Sequence, residues 1–468
     1  MTQSMLKISA VVLSFQLIIM TPVALQPAFG LGGTERAVDD IDKSNTVILV
    51  PSNQSSTSSS RTNVTLKGLF DNLDNPGRWN RLLQPALDEL SRRHPDMNIQ
   101  IEYTEFYYNE TRNRILDKLS NGDVIDIVSV DQIWLGEFAE NGLLANLTDK
   151  FERWGRGPEL YEANLDGCVY NNTIYGLWLW TDIRGIWYWT DMLQEAGIDP
   201  ESLKTWEGYI SAEAELEEAV GDDVTQGIHL LSASHNPDLW YPYLWMSGGE
   251  ILELREGHPT KDVYWFPSYN SSEGVQALQF LKRQLDAGIE PQYMPAEKEF
   301  VSKKFSVMLA GSWMPGEFPK ELRPKLEEQV GFIPMFPVPN QTMQTTTLMG
   351  GWELAVPGTS KNSDLSWELI TLMAEPDILA PFLQEYGYLP TQRTLGDGPL
   401  SQPLKESVPF YEEMVSTIQY GRSRPNIPEY PDIAEHIHFA IQQVYNRSAS
   451  PEQALDTAAA KSAESLGW

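Results

Sequence analysis

Cysteine and basic residues are scarce in this sequence. Cys168 is the only cysteine among 468 residues, so no intrachain disulfide can form and a large apolar core must stabilise the fold. Lys and Arg number 34 against 65 Asp and Glu, which gives a formal net charge of −31. Nucleic-acid binding needs a basic footprint, so neither nucleic acid nor an anionic membrane surface is expected as a partner. Such an acidic surface repels copies of itself, and we expect a monomer.

Motifs for metal binding and catalysis are also missing. The six histidines have no metal-ligand spacing, and His436 and His438 lie two residues apart on a predicted helix, where they point to different faces. The sequence contains no Gly-x-Ser-x-Gly, His-Glu-x-x-His, Walker-type or dinucleotide-binding loop. We therefore predict a protein without metal, cofactor or catalytic residues, which is not an enzyme.

Aromatic side chains, by contrast, are abundant. The chain has 15 Trp, 19 Tyr and 16 Phe, with 41% hydrophobic and 21% charged residues, which is typical of a globular protein. Trp is large to bury and costly to expose, so this surplus predicts flat apolar surfaces for a ligand in addition to core packing.

The N-terminal segment resembles an export signal. Lys7 precedes a mainly apolar stretch over residues 8–25, and Ala28-Phe29-Gly30 offers small residues where a signal peptidase would cut. The alternative is an uncleaved anchor, because the stretch approaches the length of a bilayer span. We assign residues 1–30 to this signal or anchor and 31–62 to a Ser/Thr-rich linker. The expected location is extracellular or on the cell surface, with membrane tethering as an open alternative.

Acceptor sequons for N-glycosylation are spread along the chain, which favours a glycoprotein. They begin at Asn53, Asn63, Asn109, Asn146, Asn171, Asn270, Asn340 and Asn446.

The body of the chain alternates strand and helix patterns. Apolar runs predict strands at residues 64–70, 99–103 and 124–130, and amphipathic spacing predicts helices at 78–93 and 108–120 between them. A β-α-β-α-β order implies an α/β fold whose parallel sheet carries helices on both faces and binds ligands at the carboxyl ends of its strands. Further helices are predicted at 272–287, 364–385, 404–418 and 433–444, and further strands at 306–309, 330–333 and 352–356.

A series of short segments carries a family resemblance by its order along the chain. They are DVIDIV at 123–128 with DQIWLGEF at 131–138, GLLANL at 142–147, YGLW at 175–178 leading to WTDML at 189–193, KTWE at 204–207, MLAGSW at 308–313, RPNIP at 424–428 and SPEQAL at 450–455. Over roughly residues 64–466 the chain resembles the family 1 extracellular solute-binding proteins of ABC importers, the maltose- and trehalose-binding type. It departs from that family at 177–180, where a Trp-rich segment replaces the usual Pro.

The resemblance implies a type II periplasmic-binding-protein-like fold, with two α/β lobes joined by crossover hinge strands and a ligand cleft between them. The first lobe would comprise residues 63–180 and 348–388, and the second 181–347 and 389–468. The implied function is capture of a mono- or oligosaccharide outside the cell and its delivery to the transmembrane permease subunits of an ABC importer.

A sugar site needs aromatic rings against the C–H faces of the sugar and carboxylate or amide groups at its hydroxyl rim. The predicted ring platforms are Trp134, Trp180, Trp313 and Trp352. Trp134 follows a strand at the expected rim of the cleft, and Trp313 lies in a Gly-Ser-Trp turn that is a poor place to bury an indole. The glycines before Trp352 allow the backbone to approach a ligand closely.

The predicted polar contacts are Asp182, where family members place a carboxylate, and Asp131, whose alternative role is to cap the following helix. One of the residues Asp71, Asn72, Asp74 and Arg78 in the loop after the first strand is also expected to touch the ligand.

Two other functions remain open at this point. Acids and Trp platforms also serve glycosidic cleavage, so a secreted glycoside-acting enzyme is one alternative. The same fold also accommodates peptides, polyamines and other non-sugar solutes.

Overall fold

The computed structural model describes residues 46–52, 61–71, 76–220, 226–229, 237–289, 296–334, 337–339 and 346–468. The predicted signal segment, most of the predicted linker, Asn72 and Asp74 of the first loop, and the sequons at Asn53 and Asn340 lie outside the described residues.

The strands have the following bounds. They are β1 Thr46–Leu49, β2 Thr62–Asp71, β3 Met97–Phe106, β4 Ile127–Asp131, β5 Val169–Tyr170, β6 Thr173–Ile174, β7 Gly176–Asp182, β8 Arg184–Trp189, β9 Gln226–His229, β10 Leu252–Glu256, β11 Val263–Pro267, β12 Phe305–Gly311, β13 Val330–Ile333, β14 Thr347–Leu348, β15 Gly350–Ala355, β16 Leu389–Pro390 and β17 Gly421–Arg422.

The helices follow in the same order. They are α1 Asn80–Arg93, α2 Tyr108–Ser120, α3 Gln132–Glu140, α4 Thr148–Trp154, α5 Glu162–Gly167, α6 Thr190–Ala196, α7 Trp206–Val220, α8 Tyr241–Met246, α9 Ser272–Asp286, α10 Ala296–Val301, α11 Met314–Glu317, α12 Ser363–Met373, α13 Pro376–Tyr386, α14 Arg393–Gly396, α15 Gln402–Ser407, α16 Tyr411–Thr417, α17 Tyr430–Tyr445 and α18 Pro451–Ser465. Short 3₁₀ turns cover Gly157–Glu159, Pro200–Lys204, Pro237–Leu239, Arg323–Glu328 and Ile418–Tyr420. None of the helices that the structure describes combines the length and apolar character needed to cross a bilayer.

The first sheet has seven strands in the order β1-β3-β2-β4-β15-β7-β16. The predicted parallel arrangement is confirmed for β2, β3 and β4. The sheet as a whole is mixed, because β15 returns from far along the chain and inserts antiparallel between β4 and β7. β1 lies at the edge, antiparallel to β3, so residues 46–49 of the predicted linker are part of the sheet.

The second sheet has four strands in the order β13-β8-β12-β9. β8 is antiparallel to β12 and β13, and β9 is parallel to β12. Only Ile183 separates β7 of the first sheet from β8 of the second, so the chain passes between the sheets in extended conformation. We call the parts of the chain built around the seven-stranded and four-stranded sheets lobe 1 and lobe 2. The α/β class and the two-lobed architecture are confirmed, and the residue boundaries given above for the lobes remain a proposal.

Helix periodicity predicted the bounds of some helices closely but missed breaks within others. The predicted helix at 108–120 is α2, and the apolar stripe predicted within 78–93 is the buried face of α1. The helix predicted at 364–385 is two helices, because Pro376 has no N–H to continue α12 and instead starts α13. The helix predicted at 404–418 breaks into α15, α16 and a 3₁₀ turn, with Phe410 at φ 59° before α16.

A carboxyl group is buried inside the first sheet. Glu353 on β15 has no exposed surface and lies between Val130 of β4 and Trp178 of β7 in the register. Among the described residues neither of its carboxyl oxygens has a hydrogen-bond partner. Burial raises the pKa of Glu353 well above its usual value, and the charge of Asp131 adds to this effect. The folded protein therefore favours the protonated form of Glu353 more strongly than the unfolded chain does.

The raised pKa of Glu353 makes the free energy of unfolding depend on pH. We expect Glu353→Gln to remove this dependence. The unfolded chain releases the Glu353 proton above about pH 4.3, whereas the folded chain retains it, so folding loses about 1.4 kcal/mol per pH unit above that value until the folded pKa is reached. Gln does not titrate. The free energy of unfolding of Glu353→Gln, measured by urea titration at pH 5, 6 and 7, should therefore rise relative to wild type with increasing pH.

The exposed Glu256 of β10 provides the control. Glu256→Gln should show no such trend, and parallel pH profiles for Glu353→Gln and wild type would contradict the raised pKa of Glu353.

Candidate ligand-binding site

Asp131 is the centre of a polar cluster at the carboxyl end of β4. Its Oδ1 accepts the backbone N–H of Ile133 at 3.4 Å, so it does cap α3, the alternative role considered above. Its carboxylate has further partners: the Tyr108 hydroxyl donates to Oδ2 at 2.9 Å, and Arg424 Nη2 lies 3.1 Å from Oδ1. Burial raises the pKa of Asp131, while Arg424 opposes that shift. Asp131 therefore combines a structural role with contacts to distant parts of the chain.

Arg424 connects the two lobes through this cluster. Its Nη1 donates to Oδ2 of Asp238 at 2.8 Å, and Asp238 lies in the 3₁₀ turn before α8 of lobe 2. Its backbone carbonyl accepts a hydrogen bond from Gln132 Nε2 at 3.1 Å. Arg424 is 4% exposed, and although burial acts to lower its pKa, Asp238 and Asp131 together raise it. One guanidinium group is thus shared between a carboxylate of each lobe.

Three aromatic rings lie against Asp131. The centroids of Trp134 and Trp352 are 5.6 Å apart with an edge-on geometry, and Tyr108 lies 5.7 Å from Trp134 and 5.9 Å from Trp352. Trp352 stands opposite Asp131 in the register of β15 and β4. The adjacent Gly351 has φ 141°, and a Cβ there would come within 2.1 Å of the Trp178 indole nitrogen, so only glycine fits. The sheet register thus brings together three predicted site residues.

Asp182 and Trp313 meet through Arg184. Asp182 ends β7 and forms an ion pair with Arg184, which begins β8. The Arg184 guanidinium lies over the Trp313 ring, 4.6 Å from its centroid, and Trp313 is half-buried. A Cβ on Gly350 would lie 2.9 Å from Asp182 Oδ1, so β15 passes this carboxylate closely. Burial lowers the pKa of Arg184 to about 10.

Asp71 and Arg78 form a third pair at the end of β2. Arg78 Nη2 lies 3.7 Å from Asp71 Oδ2, and the Arg78 guanidinium also donates to the Tyr388 hydroxyl. Tyr386 and Tyr388 present their rings to Arg78 at 5.7 and 5.2 Å. Burial raises the pKa of Asp71 to about 7, although Arg78 opposes this shift. The side-chain contacts of Arg78 therefore reach from the first loop to the segment after α13.

Trp313 and Trp352 are half-buried, whereas the other two predicted ring platforms, Trp134 and Trp180, are buried. Trp180 is 1% exposed and packs among Trp79 at 5.2 Å, Phe382 at 4.9 Å and Tyr388 at 5.6 Å. The Trp180 ring is almost fully buried, because Trp79 just before α1, Phe382 of α13 and Tyr388 just after α13 enclose it. Packing is the role that these contacts describe, and ligand contact by Trp180 stays a prediction.

The Asp131–Arg424 cluster, the Asp182–Arg184 pair and the Asp71–Arg78 pair interact electrostatically. The negative charges of Asp71 and Asp131 are close enough to repel, and the charges of Asp238, Arg424 and Asp131 act on Arg184. Several buried polar atoms at these residues have no hydrogen-bond partner in the described part of the chain: Asp71 Oδ1, Arg78 Nε, Asp238 Oδ1 and Arg424 Nε. Each such atom costs about 1–3 kcal/mol when it stays unpaired. The site therefore offers both acceptors and donors to a polar ligand.

Across the described ranges, no group of three or more His, Cys, Asp or Glu side chains is arranged to hold a metal ion.

Comparison with known proteins identifies the family to which the chain belongs. The sequence profile of the family described as "Bacterial extracellular solute-binding protein" matches residues 86–405. The chain belongs to this family. The resemblance noted in the sequence is thereby confirmed.

Two solved structures and one sequence relative illustrate the similarity of this solute-binding protein to others. The GacH receptor of Streptomyces glaucescens, solved unliganded and with acarbose, has a TM-score of 0.72 and 20% identity, covering 86% of this chain and 98% of that one. A solute-binding protein of Thermotoga lettingae bound with α-D-tagatose has a TM-score of 0.71 and 22% identity, covering 87% and 100%. A Sinorhizobium fredii protein named "Probable amino-acid ABC transporter periplasmic-binding protein" is 24% identical over 382 residues, 76% of this chain and 80% of its own. At these identities the solved structures establish the fold.

Four residues of this solute-binding protein's site were not identified from sequence: Tyr108, Arg184, Asp238 and Arg424. Arg424 was noted only as part of the RPNIP segment, and its bond to Asp131 joins residues 293 positions apart, which no local spacing encodes. Tyr108 does have a recognisable signal, because it begins α2 just after the carboxyl end of β3, where parallel strands present ligand-binding loops.

Arg424→Met should destabilise the protein by about 3–5 kcal/mol, because it leaves the buried Asp131 and the partly buried Asp238 without their shared cation. The measurement is the urea midpoint and the free energy of unfolding. Arg283→Met is the matched control, since Arg283 forms an exposed ion pair with Glu207 at 2.7 Å and should contribute about 0–1 kcal/mol.

Adding Asp131→Asn and Asp238→Asn to Arg424→Met should recover part of the loss, since neutral amides are less costly to bury than carboxylates. Equal destabilisation by Arg424→Met and Arg283→Met would show that the buried cluster does not hold the lobes together.

Proposed function

We propose that this protein captures a mono- or oligosaccharide in the cleft between its lobes and delivers it to the permease subunits of an ABC importer. The observation that carries the proposal is the pairing of an aromatic cluster, Tyr108, Trp134 and Trp352, with buried carboxylate and guanidinium atoms that lack partners within the described residues.

Sugars have the surface chemistry that this arrangement complements. The C–H faces of a pyranose pack on indole and phenol rings, and each hydroxyl both donates and accepts a hydrogen bond. Among the described residues, Asp71 Oδ1 and Asp238 Oδ1 have no hydrogen-bond partner and would accept from sugar hydroxyls, and the unpartnered Nε atoms of Arg78 and Arg424 would donate to them. The Streptomyces and Thermotoga relatives, solved with acarbose and with tagatose, support a carbohydrate ligand.

A second candidate ligand is an amino acid. The name of the Sinorhizobium relative supports it, and so does the alternation of carboxylates and guanidiniums, which complements an ammonium and a carboxylate on one ligand. The aromatic cluster favours the sugar, because a small amino acid offers little surface to three rings.

We also propose that the protein works outside the cell as a glycosylated monomer, exported through its N-terminal segment. Asn63, Asn109, Asn146, Asn171 and Asn446 are exposed, which supports their modification. The side-chain amide of Asn270 instead donates to Asp456 at 2.9 Å, so this sequon is the least favoured among the described ones.

Isothermal titration of the purified protein with glucose, maltose, maltotriose, trehalose and a panel of amino acids tests the ligand class. Stoichiometric binding of a sugar with no released products supports the proposal. Turnover of the sugar, followed by chromatography of the mixture, would identify a glycoside-acting enzyme instead. Binding of an amino acid alone would select the second candidate.

Trp313→Ala should weaken sugar binding by about 1–3 kcal/mol, the usual contribution of a buried aromatic contact, which is about 5- to 150-fold in Kd. Trp154→Ala is the control, because the ring contacts of Trp154 are Phe151 and Arg156 of lobe 1. Wild-type affinity in Trp313→Ala would show that this indole does not contact the sugar and packs against Arg184 instead.

A further inference from the structure

A cavity of about 650 Å³ lies outside the candidate site and shares no lining residue with it. Its walls come from α5, α14, α15 and α16 and from the turns beside them. We call it the α5–α16 pocket and define it by Tyr161, Glu162, Asp166, Asp397, Tyr411 and Ile418. The volume is within the range of about 300–1,000 Å³ that is usual for small-molecule sites.

The walls of the α5–α16 pocket carry an excess of negative charge. Four carboxylates line it against two basic side chains, Arg393 and Lys405. Lys405 is already paired with Glu412 at 2.9 Å, and the Arg393 guanidinium lies over the Tyr161 ring, 4.6 Å from its centroid. The carboxylates that form no ion pair within the described residues are those of Glu162, Asp166 and Asp397.

Two of these carboxylates are neighbours on the surface of α5. Glu162 and Asp166 are four residues apart in the helix, a spacing at which like charges repel. Burial raises the pKa of Asp166, and the negative charge of Glu162 adds to this effect. A cation bound beside both carboxylates would relieve the repulsion between them.

A buried hydroxyl group in the same pocket lacks a partner. Tyr161 is 7% exposed, and its hydroxyl oxygen has no hydrogen-bond partner among the described residues. The oxygen lies against Gly396, where a Cβ would overlap it, and both residues line the pocket. An unpaired buried hydroxyl is unfavourable, and its oxygen can accept a hydrogen bond from an ammonium group.

The chemistry of the walls fits an organic cation better than a metal ion. Within the described ranges no three acidic, His or Cys side chains are arranged to hold a metal ion, so the carboxylates of the pocket do not converge on one point. Apolar side chains belong to the same walls, because Tyr411, Val415 and Ile418 are buried and line the cavity. A flexible alkyl chain that carries several ammonium groups can pack on such side chains and still reach separate carboxylates.

We propose that the α5–α16 pocket is a second ligand site, which binds a small alkyl polyamine and is separate from the sugar site. One ammonium group contacts Glu162 and Asp166 on α5. Another contacts Asp397 and the Tyr161 hydroxyl, and the alkyl chain between them packs on Tyr411. This binding is independent of the proposed sugar capture.

Calorimetry with putrescine and spermidine at physiological ionic strength tests the site, because salt screens diffuse attraction to the acidic surface. Wild type should bind spermidine with one-to-one stoichiometry. The double variant Glu162→Gln, Asp166→Asn should weaken this binding about 10-fold or more, because it loses charge-assisted hydrogen bonds. Both residues are exposed, so the double variant should fold. Tyr161→Phe keeps the ring and removes only the hydroxyl, and it should weaken spermidine binding about 3- to 10-fold.

The double variant Glu452→Gln, Asp456→Asn is the matched control. These residues are also an exposed Glu and an exposed Asp four positions apart on one helix, α18, but they do not line the pocket. The control removes the same charge from the protein and should bind spermidine as wild type does.

Equal weakening of spermidine binding by the two double variants would show diffuse attraction to the acidic surface and overturn the site. The absence of spermidine binding by wild type would also overturn it, and so would full competition by an equal concentration of Mg²⁺. Trp313→Ala, which alters the candidate sugar site, should leave spermidine binding unchanged. Loss of spermidine binding in Trp313→Ala would place the polyamine in the sugar site and contradict a separate pocket.

Discussion

The arrangement of the lobes depends on one shared cation. Arg424 is buried between Asp131, which ends a strand of lobe 1, and Asp238, which lies in a turn of lobe 2. Buried charges are tolerated only when they are paired, so separating Arg424 from either carboxylate would be costly. Tyr108, Trp134 and Trp352 are arranged around the same Asp131 carboxylate. The ion cluster therefore links the two lobes and lies beside the aromatic rings of the candidate site.

Local sequence patterns predicted the elements better than their assembly. α2 was predicted with its observed bounds, because its buried residues Thr111, Ile115 and Leu119 are spaced four apart on one face. The position of β15 could not be read locally, since its neighbours β4 and β7 precede it by more than a hundred residues and its direction is set by the returning chain. The breaks before α13 and α16 were missed although Pro376 was visible as a helix-starting residue.

In the candidate site, too, some residues have a local sequence signal and others are brought in only by the fold. Asp131, Trp134 and Trp352 were each chosen for chemistry and local position, and the sheet register brings them together. Arg424 and Asp238 have no such signal, because their importance comes from burial against a residue far along the chain. Sequence also cannot tell an indole at the cleft from one in the core: Trp180 and Trp352 are register partners on adjacent strands, yet Trp180 is enclosed by rings and Trp352 reaches the site.

The chain crosses from the first sheet to the second at Ile183, and this crossing defines an axis about which the lobes can rotate. The backbone of Ile183 bonds to Ser312 at 2.9 Å, and the neighbouring Arg184 bonds to the Thr347 hydroxyl at 2.9 Å, so two separate crossings lie side by side. Adjacent crossings of this kind favour rotation of one lobe relative to the other about the line that joins them, over sliding of the lobes past each other.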